Sequence, residues 1–145
     1  MAGLAIAASA VAILALTLRP DGDGPTGAAC LLCGEVWLAD VIRNVILFLP
    51  LGLALASAGL PTRRVLAIAG ALSAIIEVLQ LTVVSGRHPS PVDLAANVAG
   101  ALAGGVLWST ALQWRAGDRC CSRVGGVLAV LWWMQCFVTA WGLRP

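Results

Sequence analysis

The chain contains apolar stretches long enough to cross a lipid bilayer, and that constrains its fold more than any motif does. A helix needs about 20 apolar residues to cross the hydrocarbon core, within a range of about 17–25. Five stretches meet that length. Residues 2–18, 44–62, 94–114 and 124–143 hold no charged residue, and residues 65–86 hold one, Glu77. Backbone N–H and C=O groups cannot stay unpaired in lipid, so each stretch is expected to be helical. The expected fold is all-α: a polytopic membrane helical bundle of about five transmembrane helices, forming a single membrane domain over residues 1–145.

Composition excludes the other classes. The chain is 60% apolar and 11% charged, against about 45–50% and about 25% in soluble domains. A soluble domain of 145 residues leaves too much surface exposed to hide so much apolar area. Disordered chains are polar and charged. A formal net charge of +2 argues against a nucleic-acid partner. Residues 2–18 lack a basic leading region and end at Arg19-Pro20 without a clear cleavage site, so they read as a retained span and not a signal peptide.

Arginine placement sets the expected orientation. Arg63 and Arg64 share one side with Arg115, Arg119 and Arg123, while Arg19, Arg43, Arg87 and Arg144 fall on the other. This puts the N-terminus in the cytoplasm and the C-terminus outside the cell membrane. Trp37, Trp114 and Trp141 sit near expected interfaces, whereas Trp132 and Trp133 lie mid-span and should pack on protein or lipid. Residues 19–43 read as an exposed loop.

Polar groups inside spans are costly and point to function. Here they gather. Asn44 opens the second expected span, Ser73, Glu77 and Gln80 lie on the third, and Asp93 and Asn97 begin the fourth. Arg87 and His88 occupy the connection between the third and fourth. In a five-span arrangement all of them fall in the same, outer half, with Glu77 about 10 Å from its end of the third span. Ser73, Glu77 and Gln80 share a helix face, as do Asp93, Asn97, Gly100 and Gly104. Small residues allow close helix approach, and the short connection makes the third helix the expected partner of the Gly100–Gly104 face. Asn44, Phe48 and Gly52 form a stripe on the second helix, with a kink expected at Pro50.

Structural readings stand beside these functional ones. Ser90-Pro91-Val92-Asp93 fits a helix N-cap with proline first and an acid third. Asn44 fits a helix N-terminus, Arg87 a snorkelling anchor, and Gln80 an interhelical hydrogen bond. Glu77 must be protonated, paired or wet, because a lone buried carboxylate is very costly. Arg87 is close enough in sequence to pair with it.

The residues quoted resemble a known family. Asn44-Val-Ile-Leu-Phe48-Leu-Pro50-Leu-Gly52 is similar to the N-x3-F-x-P-x-G signature of VanZ-like membrane proteins. Ser73-Ala-Ile-Ile-Glu77-Val-Leu-Gln80 is similar to its S-x3-E-x2-Q. Gly86-Arg87, then Asp93, Asn97 and Gly100, are similar to its G-R-x5-D-x3-N-x2-G. The three motifs occur in order over about residues 40–105, with the segment 124–143 as an extra C-terminal span outside them. The resemblance implies a multi-pass bacterial membrane protein and marks Asn44, Glu77, Gln80, Arg87, Asp93 and Asn97 as its polar set. The family is named for a protein associated with resistance to teicoplanin, an antibiotic that acts on the cell wall. No catalytic mechanism carries over.

Cys30 and Cys33 lie in the expected outer loop, where disulfides can form. Cys120 and Cys121 fall on the inner side and Cys136 in the last span. No metal or cofactor motif is present. Three functions fit. The first is an enzyme or binder acting at the outer leaflet on a cell-envelope or lipid-linked substrate. There Glu77, with Asp93, would be the catalytic candidate, Arg87 would hold an anionic head group, and Asn44, Gln80 and Asn97 would orient it. The second is a small transport or channel unit, complete only as a homo-oligomer. The third is an assembly factor whose polar residues only lock helices together.

Overall fold

The computed structural model describes residues 2–18, 37–83 and 90–114, and no strand occurs among them. They form four helices: α1 (Ala2–Thr17), α2 (Trp37–Ser57), α3 (Thr62–Thr82) and α4 (Pro91–Trp114). Three of them, α2, α3 and α4, are long and apolar enough to cross a membrane, and α1 is a shorter apolar helix of 16 residues. The fifth expected span and all five cysteines lie outside the described residues.

The second helix differs most from expectation. It begins at Trp37, not Asn44, so residues 37–43 are helical and not loop. Asp40 and Arg43 lie one turn apart and pair across 2.9 Å on the exposed helix surface. That spacing makes a charged start compatible with a helix. The helix ends at Ser57 because Gly59 adopts a φ of 82°. The Gly59 N–H bonds to the Ala56 carbonyl at 2.9 Å and the Leu60 N–H to the Leu55 carbonyl at 3.2 Å. This is a Schellman cap, with the proline that commonly follows one at Pro61. Pro61 then stands as the N-cap residue of α3.

The inward faces meet in one apolar core built from Ile13 of α1, Phe48, Leu51 and Leu55 of α2, Ile76 of α3 and Ala101 of α4. Ser9, Ile13 and Thr17 make the buried stripe of α1. Its two hydroxyls bond back to the carbonyls of Ala5 at 2.8 Å and Ile13 at 2.7 Å, so neither is left unpaired. Leu4, Val11, Ile75, Val78, Leu81 and Leu107 point outward and are exposed. In water that surface would drive aggregation; in a bilayer it faces hydrocarbon.

The tightest packing is between α2 and α4, and it corrects the expectation that α3 receives the glycine face. A Cβ on Gly100 would collide with the Val45 backbone, one on Gly104 with the Leu49 carbonyl and the Leu53 amide, and one on Gly52 with the Ala101 carbonyl. Val45 lies against Gly100 and Leu49 against Gly104, so α2 and α4 run parallel in step. Close approach needs small residues facing backbone at matching levels, and Gly52 completes that match from the α2 side. α3 brings only ordinary contact at Gly70, whose Cβ would sit 3.9 Å from the Val98 side chain.

Candidate functional site

The expected polar residues that are described, Asn44, Ser73, Glu77, Gln80, Asp93 and Asn97, lie toward one end of the bundle, where α1 and α3 finish and α2 and α4 begin. Each is placed there by its helix. α4 starts as its sequence suggests: Ser90 precedes Pro91, and the Ser90 carbonyl accepts from the N–H groups of Asp93 at 3.0 Å and Leu94 at 3.3 Å. An acid at the third position often returns a bond to the capping residue's own amide. Here a carboxylate from another helix takes that amide. The Ser90 N–H donates to Glu77 Oε2 at 2.8 Å in a partly buried contact.

Glu77 therefore caps α4 from α3. The N-terminus of a helix carries partial positive charge, which favours a nearby carboxylate. This is one physical reason a carboxylate is tolerated within an apolar span. α3 ends at Thr82 and not at residue 86, so Glu77 lies about 8 Å from the end of its helix, closer than expected. Asp93 is half-buried in the first turn of α4.

Two other polar residues are committed to joining helices. Asn97 Nδ2 donates to Ser73 Oγ at 2.9 Å, tying α4 to α3 in a fully buried contact. Gln80 Nε2 donates to the carbonyl of Thr17 at 2.9 Å, tying α3 to the end of α1. The last carbonyls of a helix lack intrahelical donors, and Gln80 supplies one. The Thr17 carbonyl and the Ser90 amide were invisible to sequence reasoning, because a backbone group carries no residue-type signal.

Among the described residues, one buried side-chain atom is left over. Asn97 Oδ1 is buried, in a residue only 2% exposed, and has no partner among the described residues. A buried polar atom without a partner costs about 1–3 kcal/mol, so this carbonyl is primed for a donor. Asn44 lies near the same depth, because its neighbour Val45 packs on Gly100, one turn from Asn97. Asn44 is half-buried in the second turn of α2 and does not open that helix, which corrects its reading as a helix N-terminal residue. Arg87 and His88 lie outside the described residues. Among those described, no group of three His, Cys, Asp or Glu is placed to hold a metal ion.

Helix positions and motif residues can now be set against known proteins. The VanZ/LLP1 family model matches residues 8–112. The chain belongs to the VanZ/LLP1 family. The match runs from the middle of α1 almost to the end of α4 and includes every polar residue just described. No curated protein and no solved structure matches the chain.

Proposed function

We propose that this VanZ-family membrane protein binds a cell-envelope or lipid-linked substrate in the outer half of the membrane, at the end of the bundle that holds Glu77. The observation that carries the reading is the buried, unpartnered Asn97 carbonyl in the same half as a carboxylate seated on a helix N-terminus. Glu77 and Asp93 are the candidate acid–base groups. Arg87 contacts an anionic head group, and Asn44 and Asn97 orient it. Gln80, whose Nε2 holds the Thr17 carbonyl, stays in the candidate substrate-orienting set through its side-chain oxygen. The chain crosses the cell membrane five times, with 124–143 as the fifth span, a cytoplasmic N-terminus and an outer C-terminus; a reporter fused to the C-terminus and active only in the cytoplasm overturns that orientation. The family's association with teicoplanin resistance makes wall precursors the substrates to test first.

A second reading is favoured by the bonds of Gln80 to Thr17 and Asn97 to Ser73: the polar set locks helices together, and the protein is an assembly factor. Two variants separate the readings. Glu77→Gln and Arg87→Ala should accumulate in the membrane as the parent does, yet lose retention of a phosphate-headed lipid in nanodiscs, read by native mass spectrometry. Failure of both variants to accumulate supports the helix lock. Normal accumulation with unchanged lipid retention refutes substrate binding at this site.

A further inference from the structure

Two side-chain amides near one depth, both among the described residues, have hydrogen-bonding groups to spare. The first is Asn97. Its Nδ2 is used on Ser73 Oγ, while its Oδ1 is buried without a partner. The second is Asn44, set near that depth by the packing of Val45 on Gly100. Asn44, Phe48, Leu51 and Leu55 follow i, i+4, i+7, i+11 and share one face of α2. The last three are core residues, at most 3% exposed. Asn44 therefore sits on the core side of its helix, yet its amide makes no hydrogen bond to another described residue. An amide has two donors and an acceptor oxygen.

The neighbours restrict what can meet these groups. Ser73 and Glu77 are one turn apart on α3, and side chains so spaced lie about 5–6 Å apart. The bond to Ser73 thus places the Asn97 amide about one turn from the Glu77 carboxylate, whose Oε2 accepts from the Ser90 N–H. Beside a carboxylate and a spare carbonyl, a phosphate would bring only more acceptors and a like charge, which repels strongly in a medium of low dielectric. A hydroxyl brings a donor without charge and still accepts from an amide. Burying a neutral group that finds its partners costs little, whereas burying an anion costs far more.

We propose that the group seated between Asn44 and Asn97 is an uncharged hydroxyl of the substrate's head group, of the kind a polyol or sugar carries, and that the phosphate stays nearer the membrane surface. The inference rests on the substrate reading above and names the part of the substrate that enters the bundle. The hydroxyl donates to Asn97 Oδ1 and accepts from the Asn44 amide. Asn44 is half-buried and Asn97 2% exposed. The ligand therefore meets Asn44 first, and side chains shift before it reaches Asn97.

Two lipids of equal charge test this. Phosphatidylglycerol and phosphatidylmethanol each carry one negative phosphate, but only the first has free head-group hydroxyls. With matched acyl chains, both are offered in equal amounts in nanodiscs holding the full-length protein, and retention is read by native mass spectrometry. The parent should retain phosphatidylglycerol about 2- to 12-fold more, the factor that one net hydrogen bond supplies. Asn44→Leu gives up no hydrogen bond to another described residue. It should lower phosphatidylglycerol to the level of phosphatidylmethanol and leave the latter unchanged. Asn97→Leu should do the same; where loss of its bond to Ser73 prevents accumulation, Asn44→Leu decides. A preference that survives in Asn44→Leu overturns the proposal, because the hydroxyl is then recognised elsewhere. Equal retention by the parent, or a preference for phosphatidylmethanol, also overturns it. The substrate reading survives that result when Glu77→Gln loses both lipids and falls when it keeps them. If the parent retains neither lipid, the substrate reading fails and the hydroxyl seat with it.

Discussion

Replacing Gly100 with alanine should push α2 and α4 apart. The new Cβ would lie 2.9 Å from both the Val45 Cα and carbonyl carbon, and nearer still to its oxygen. All three are backbone atoms, so no side chain can swing away, and the helices themselves must separate by a good part of an ångström. Overpacking of this kind costs about 1–3 kcal/mol. Alanine recovers about 0.5–1 kcal/mol of the conformational cost of a helical glycine. The net destabilisation is then about 0–2.5 kcal/mol, with a midpoint of about 1 kcal/mol. Gly70→Ala is the matched control, since its Cβ finds ordinary contact at 3.9 Å from the Val98 side chain, and it should be neutral or slightly stabilising. The measurement is SDS-driven unfolding of the purified protein in mild detergent, followed by helical circular dichroism. Equal unfolding midpoints for the two variants would show that the α2–α4 approach is not as close as described.

The buried bonds supply two further expectations. A double-mutant cycle with Ser73→Ala and Asn97→Ala should give a coupling of about 0.6 kcal/mol, the average for interhelical hydrogen bonds in membranes, and no more than about 1.7 kcal/mol; purely additive effects in the same SDS titration would mean the pair does not join α3 to α4. Gln80→Leu removes the donor to the Thr17 carbonyl. It should raise protease cleavage after α1 while leaving the helical circular dichroism of the membrane-inserted protein unchanged, and unchanged cleavage would show that Gln80 does not hold the end of α1.

Much of the fold is legible in the sequence because lipid imposes a one-dimensional rule. A backbone in hydrocarbon must be helical, so uncharged length alone locates α1, α3 and α4 to within a few residues. The start of α2 departs from that rule for a local reason. Counting uncharged residues excludes Asp40 and Arg43 from the helix, although charges one turn apart pair along its surface. The stop at Gly59 and Pro61 was present in the sequence as a capping pattern, but it lay inside an unbroken apolar run.

Much of the candidate site was legible too. Polar residues are so few within these spans that Ser73, Glu77, Gln80, Asp93 and Asn97 stand out by type and by shared helix faces. Their partners were not legible. Periodicity gives the direction a side chain takes around its own helix and says nothing of which neighbour it meets. The tertiary structure alone decided that Gly100 and Gly104 face α2 and not α3, because that depends on the α2 backbone at Val45 and Leu49 lying against them across parallel helices. It alone decided that Glu77 caps α4 and that Gln80 caps α1, because the groups they bond are backbone amide and carbonyl. Sequence determined that the chain is a membrane helical protein with one conspicuous carboxylate; packing determined what that carboxylate touches, since contact depends on register between helices, which no single helix encodes.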